Sequence, residues 1–128
     1  MAVLVVDANV LIALFDERDA LHARAKNALK NASAMELVLP ASAYAEMLVG
    51  AFRIGLDRAR EIDAALASIP VTVVPLTAGV AQNAARLRAA SESLRLGDAL
   101  VLGTGAELHA SVLTADRRLA RHARVKVI

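Results

Sequence analysis

Apolar positions along the chain fall into two alternating patterns. Ala2 to Val6 is a short run rich in Val that ends at Asp7, unbroken by polar residues, as in a strand buried on both faces. Asn9 to Phe15 then carries apolar residues through a short helix. From Asp19 to Ala32, Leu21, Ala25, Ala28 and Leu29 recur at helical spacing, with His22, Lys26 and Lys30 turned outward. Glu36 to Leu39 is a second strand, stopped at Pro40. Ser42 is a reasonable start for a helix to Ile54, ended by Gly55, and Asp57 to Ser68 forms the next. Val71 to Val74 is the third strand. Thr77 caps an Ala-rich helix reaching about Ser93, and Gly97-Asp98 opens another through His109. Ser111 to Thr114 is strand four, followed by a brief helix from Asp116 to His122 and a last strand, Val125 to Val127.

Strands alternating with helices predict an α/β fold with a parallel sheet. With 128 residues, no internal repeat and no linker, one domain over residues 1–128 is expected. The 57% hydrophobic content comes largely from Ala. The longest uncharged stretch, Ala64 to Ala85, holds Pro70, Pro75, Gln82 and Asn83 and does not suit a membrane span. Asp7 interrupts the first apolar run too early for a secretion signal, so a cytoplasmic protein is expected. Without cysteine, disulfides, thiolate metal sites and thiol nucleophiles are excluded, and any metal must be held by oxygen or imidazole.

Three acids lack an obvious partner. Asp16, Glu17 and Asp19 form a mixed cluster with Arg18, Glu61 follows Asp57 and Arg58, and Glu92 lies four residues from Arg88. Asp7, Glu46 and Asp98 instead sit in apolar settings, and no Lys or Arg is expected to face them one helical turn away. A carboxylate buried alone is costly, and one shared divalent cation would satisfy all three. In an open parallel sheet, ligands collect beyond the carboxyl ends of the strands where the strand order reverses. Asp7 stands at such an end, and Asp116 stands just past strand four. If strands one and four are neighbours, the two acids meet, and a 3-2-1-4-5 order follows. Plain helix-capping roles remain open for Asp7, Asp98 and Asp116, as does a merely tolerated, partly exposed position for Glu46.

In order, Val5-Val6-Asp7-Ala8-Asn9-Val10-Leu11, Ala45-Glu46, Gly97-Asp98-Ala99-Leu100 and Leu113-Thr114-Ala115-Asp116 resemble the signature of PIN domains. The chain is most similar to the VapC-type toxin ribonucleases of bacterial VapBC toxin–antitoxin pairs. That resemblance spans essentially the whole chain and implies a three-layer α/β/α domain that cuts RNA to leave a 5′-phosphate and a 3′-hydroxyl. It implies that Asp7, Glu46, Asp98 and Asp116 hold magnesium or manganese, with Asp7 and Asp98 as the main ligands. Asn9 and Thr114 are supporting candidates, toward the carboxylates or the phosphate. A VapB-type antitoxin and a homodimer built on apolar helices are the implied partners.

Charge agrees with a polyanionic substrate. Four of the 13 acids placed in one site leave nine against 15 Lys and Arg, 12 of which are Arg. Arg117, Arg118, Arg121 and Arg124 are candidates for RNA phosphates, with a merely solvated face as the alternative. Gly103-Thr104-Gly105 lies within a predicted helix and reads as close packing. His22, His109 and His122 read as surface residues. An aspartyl-phosphate enzyme would want a second Asp where Asn9 stands. The rival from another class is a PIN-fold module that binds RNA or protein without cutting.

Overall fold

The computed structural model describes residues 2–128. Strands β1 (Val3–Val6), β2 (Glu36–Pro40), β3 (Val71–Val74), β4 (Ser111–Thr114) and β5 (Val125–Val127) form one sheet in the order β3-β2-β1-β4-β5. All four pairings are parallel, with Leu4 opposite Leu37 on one side and Val5 opposite Val112 on the other. The order expected from the acids is the one observed. Central β1 is the most apolar strand because both of its faces are covered, and Val5 and Val6 are inaccessible to solvent.

The connections are α1 (Ala8–Phe15), α2 (His22–Asn31), α3 (Ala41–Ile54), α4 (Leu56–Ala67), α5 (Ala78–Ala90) and α6 (Leu96–Leu108). A 3-10 helix, Arg117–Arg121, links β4 to β5. The sheet grows in one direction through β2 and β3, then jumps back to β4. Crossovers of the usual right hand therefore send α1–α4 to one face and α5–α6 to the other.

Boundaries shift where local chemistry competes. Pro40 belongs to β2, paired with Val74, and α3 starts directly at Ala41 rather than at a Ser42 cap. Thr77 does cap α5, accepting from the Val80 N–H, but the helix ends at Ala90. The turn that follows, through Ser91 and Ser93, lies free of it. Gly103 permits close packing of α5 on α6: a Cβ there would come within 2.8 Å of the Val80 carbonyl. A Cβ on Gly105 would meet the Val112 side chain, so Gly103 and Gly105 are packing positions, as their helical setting predicts.

Candidate active site

The crevice lies between β1 and β4, at their carboxyl ends, where neighbouring strands send their chains in opposite directions. Asp7 extends β1 by one bond, its N–H reaching the Leu113 carbonyl at 2.9 Å, and then caps α1. One carboxylate oxygen accepts from the Ala8 N–H at 2.8 Å. The other accepts from the Thr114 hydroxyl at 2.8 Å. Asp7 is 5% exposed, and burial pushes its pKa up to about 6 against those two hydrogen bonds, with the charges of Asp98 and Glu46 adding to the rise.

Thr114 is fully buried and its hydroxyl is fully used. It donates to Asp7 and accepts from the Asn9 side-chain amide at 3.2 Å and the Asp116 N–H at 3.1 Å. Asn9 also accepts from the Ala115 N–H at 2.9 Å. The two supporting candidates thus tie the ends of β1 and β4 together behind Asp7. Neither is filler.

Glu46 comes from the second turn of α3, on the opposite side of the crevice. Burial raises its pKa, and the charge of Asp98 raises it further while Arg95 opposes. Gly97 makes room for it: a Cβ there would overlap Glu46 Oε1. Asp98 follows in the first turn of α6, and Glu46, Arg95, Gly97 and Asp98 line one cleft.

Asp98 and Asp116 differ from expectation in their partners. Asp98 does have a cation one turn away, since Arg95 Nε lies 3.4 Å from its Oδ2; the spacing of three residues was present in the sequence, and the extended cap position of Arg95 turns that side chain back over the helix start. Asp116 caps the 3-10 helix through the Arg118 N–H at 2.9 Å and is clasped by the Arg118 guanidinium at 2.8 and 3.0 Å. Those bonds hold the Asp116 pKa below the usual carboxylate range.

Asp7, Glu46 and Asp98 are thus drawn into one mutually repelling group, and Asp116 stands beside them joined through Thr114. Among the described residues no three acidic or imidazole side chains gather into a ready-made metal cage. Magnesium does not require one, because it keeps several waters and takes one or two carboxylates. Oxygen-only donors with their charges gathered at one place fit such a hard cation.

The arginines separate. Arg118 and Arg121 line a groove with Ser93, Leu94, Leu119 and Asp98, and Arg121 donates to Ser91 Oγ at 2.9 Å and Ser93 Oγ at 3.2 Å. Arg117 is exposed on the same short helix. Arg124 is elsewhere: its carbonyl pairs with the Val112 N–H, at the amino ends of the strands. There it lines a cavity of about 270 Å³ with His109 and His122, so two of the three histidines share a site that sequence spacing did not suggest. His22 bonds the Ala13 carbonyl at 2.9 Å. Arg95, Ser91 and Ser93 are site-adjacent residues that the motif did not mark.

The PIN-domain profile matches residues 4–125. The chain belongs to the PIN-domain family. No curated protein matches it by sequence at a significant level. Solved structures match it in fold, over nearly their whole length. A toxin–antitoxin complex from Klebsiella pneumoniae superimposes with a TM-score of 0.77 at 24% identity, covering 99% of this chain and 97% of that one. VapBC2 from Rickettsia felis, bound to a DNA fragment from its promoter, gives 0.78 at 12% identity, with 98% and 97% covered. VapC20 of Mycobacterium tuberculosis, a toxin cleaving the sarcin–ricin loop, gives 0.75 at 20% identity, with 97% and 98% covered. The PIN fold of this chain is therefore the one seen in VapC toxins.

Proposed function

We propose that this PIN domain is a magnesium- or manganese-dependent endoribonuclease and the toxin of a toxin–antitoxin pair. The observation that carries the reading is the placement of Asp7, Glu46 and Asp98 about the sheet's reversal point, with Glu46 and Asp98 lining one cleft and the charge of Asp98 raising the pKa of both Asp7 and Glu46. Asp7 is buried, Asp98 is half-buried and Glu46 forms the exposed wall of the cleft, and a cation would offset the cost of gathering the three charges. Asp7 and Asp98 would be its main ligands, with Glu46 and Asp116 completing the site directly or through water. The bound ion would supply an activated water for in-line attack on phosphorus and would neutralise the leaving oxygen.

The chain's own residues do the rest. Thr114 and Asn9 hold Asp7 in orientation. Arg118 and Arg121 offer guanidiniums to the substrate's phosphates beside Asp98. Expected products carry a 5′-phosphate and a 3′-hydroxyl, as the family resemblance implies.

An antitoxin partner has a matching surface. Ile12, Met47, Ile54 and Ile62 line an apolar groove that also includes Glu46, so it opens directly into the acidic crevice. A short segment with apolar residues for the groove and a basic residue for the acids would block both.

The test is RNA cleavage by the purified protein with magnesium, with EDTA, and with Asp7→Ala. Cleavage that survives EDTA or Asp7→Ala would sink the proposal. The pairing of Asp98 and Asp116 with arginines favours one other reading, a non-cutting binding module, and RNA binding without any cleavage would establish it.

A further inference from the structure

We infer that Arg118 is a resident counter-cation, one that must leave Asp116 before that carboxylate can serve the metal and that then moves onto the RNA phosphate in the adjoining groove. The inference rests on the metal-dependent ribonuclease reading and adds a coupling to it: metal loading prepares the RNA site. Arg95 does the same for Asp98 in a weaker form.

The geometry of Asp116 is the starting point. Both of its oxygens are engaged by one side chain, at 3.0 Å on Oδ1 and 2.8 Å on Oδ2, in the two-pronged arrangement that guanidinium and carboxylate favour. A divalent ion and this fork compete for the same lone pairs. The guanidinium is nonetheless free to move, since the Arg118 side chain is 70% exposed even though Asp116 is only 15% exposed, and a cation at Asp116 would take over the charge it leaves. What remains after the guanidinium leaves is the main-chain bond. The Arg118 N–H still donates to Oδ1 at 2.9 Å, so Asp116 keeps its place while its charge is freed.

The released side chain has somewhere to go. Arg118 lines the groove that runs between the turn at Ser93 and Leu94 and the 3-10 helix, with Asp98 at one end. Arg121 is already fixed there by Ser91 and Ser93, and its bonds are to those hydroxyls and to His122 Nε2, with no carboxylate partner. Two guanidiniums beside Asp98 form a seat for a phosphodiester group next to the one being cut. In the unloaded protein only Arg121 is free for this. Arg95, at 3.4 Å and through one nitrogen, is the looser counterpart on Asp98.

The experiment measures metal and RNA binding separately. Mn2+ is titrated calorimetrically into wild type, Arg118→Ala and Arg121→Ala, without nucleic acid. Both side chains are exposed, and circular dichroism checks the fold. The inference expects Arg118→Ala to bind Mn2+ about fivefold more tightly, because Asp116 no longer has a competitor, and Arg121→Ala to bind as wild type does. A phosphorothioate-linked RNA oligonucleotide, followed by fluorescence anisotropy, should bind wild type about fivefold better with Mn2+ than with EDTA. Arg118→Ala should lose that gain. Unchanged or weakened Mn2+ binding in Arg118→Ala overturns the inference, and so does an equal tightening in Arg121→Ala, which would be a general charge effect. If Mn2+ binds all three proteins alike, the ribonuclease reading stands and only the coupling falls. If wild type binds no Mn2+, both fall.

Discussion

Asp7 is expensive to keep. Its pKa is about 6 in the folded chain against 3.8 for a free side chain, so the folded state holds its proton more tightly than the unfolded state. Stability therefore falls as pH rises through this window, and the full cost is present above about pH 6. The shift of about two units corresponds to at most about 3 kcal/mol. Asp7→Asn should remove that dependence: in EDTA, urea unfolding of wild type should weaken between pH 4 and 7.5 relative to the variant, which gains about 1–3 kcal/mol at the upper end and cuts no RNA. Parallel curves would mean that Asp7 is no more costly than a surface acid. Thr114→Val tests the support. Removing a hydroxyl that donates once and accepts twice should cost about 1–3 kcal/mol by leaving the Asn9 amide and Asp116 N–H short of a partner. Because that hydroxyl lowers the Asp7 pKa, the acid limb of the cleavage profile should also move to higher pH. Of these features only Asp7 could be read from its own neighbours in sequence, while Asn9 and Thr114 were marked by the family resemblance alone. The five-residue apolar preface to Asp7 announced a buried strand end, whereas the role of Thr114 depends on a partner 107 positions away.

At the scale of elements, α3 and α6 meet where Glu46 rests on Gly97. The obstacle to a Cβ there is the tip of a flexible side chain, so Gly97→Ala should leave thermal stability within about 1 kcal/mol of wild type. Cleavage should drop about tenfold as the carboxylate is pushed aside. The decisive comparison is the double variant: Gly97→Ala should add nothing to Glu46→Ala, and an additive loss would place the glycine's effect elsewhere. Strands and most helices were legible because their apolar periods differ, and the sheet order followed from requiring Asp7 and Asp116 to meet. The Ser42 start was misplaced because Pro40, still paired in β2, hands the chain directly to α3. The partners of Asp98 and Asp116 were missed for another reason. Whether an arginine folds back over its own helix start depends on cap geometry that periodicity does not report.

For the whole molecule, the proposed antitoxin would dock in the groove that joins apolar residues to Glu46. Ile54 is among the most exposed large apolar residues, at 77%, and sits away from the acids on the groove's rim. Ile54→Asp should abolish co-purification with the product of a small neighbouring upstream reading frame. RNA cleavage by the free protein should stay within about twofold. Retention of the complex would move the partner to another face. Sedimentation of the free protein checks the expected homodimer, whose apolar surface would come from the same helices.

The spread of the four acids, from residue 7 to residue 116, also bears on synthesis. β1 has no partner on its β4 side until residues 111–114 have been made, and Asp116 has no cap to form until the short helix behind it folds. A ribosome producing this chain therefore carries an unfinished crevice until β4 and the short helix after it have emerged. On the proposed nuclease reading, a fragment ending before β4 would lack Thr114 and Asp116 and so should cut no RNA.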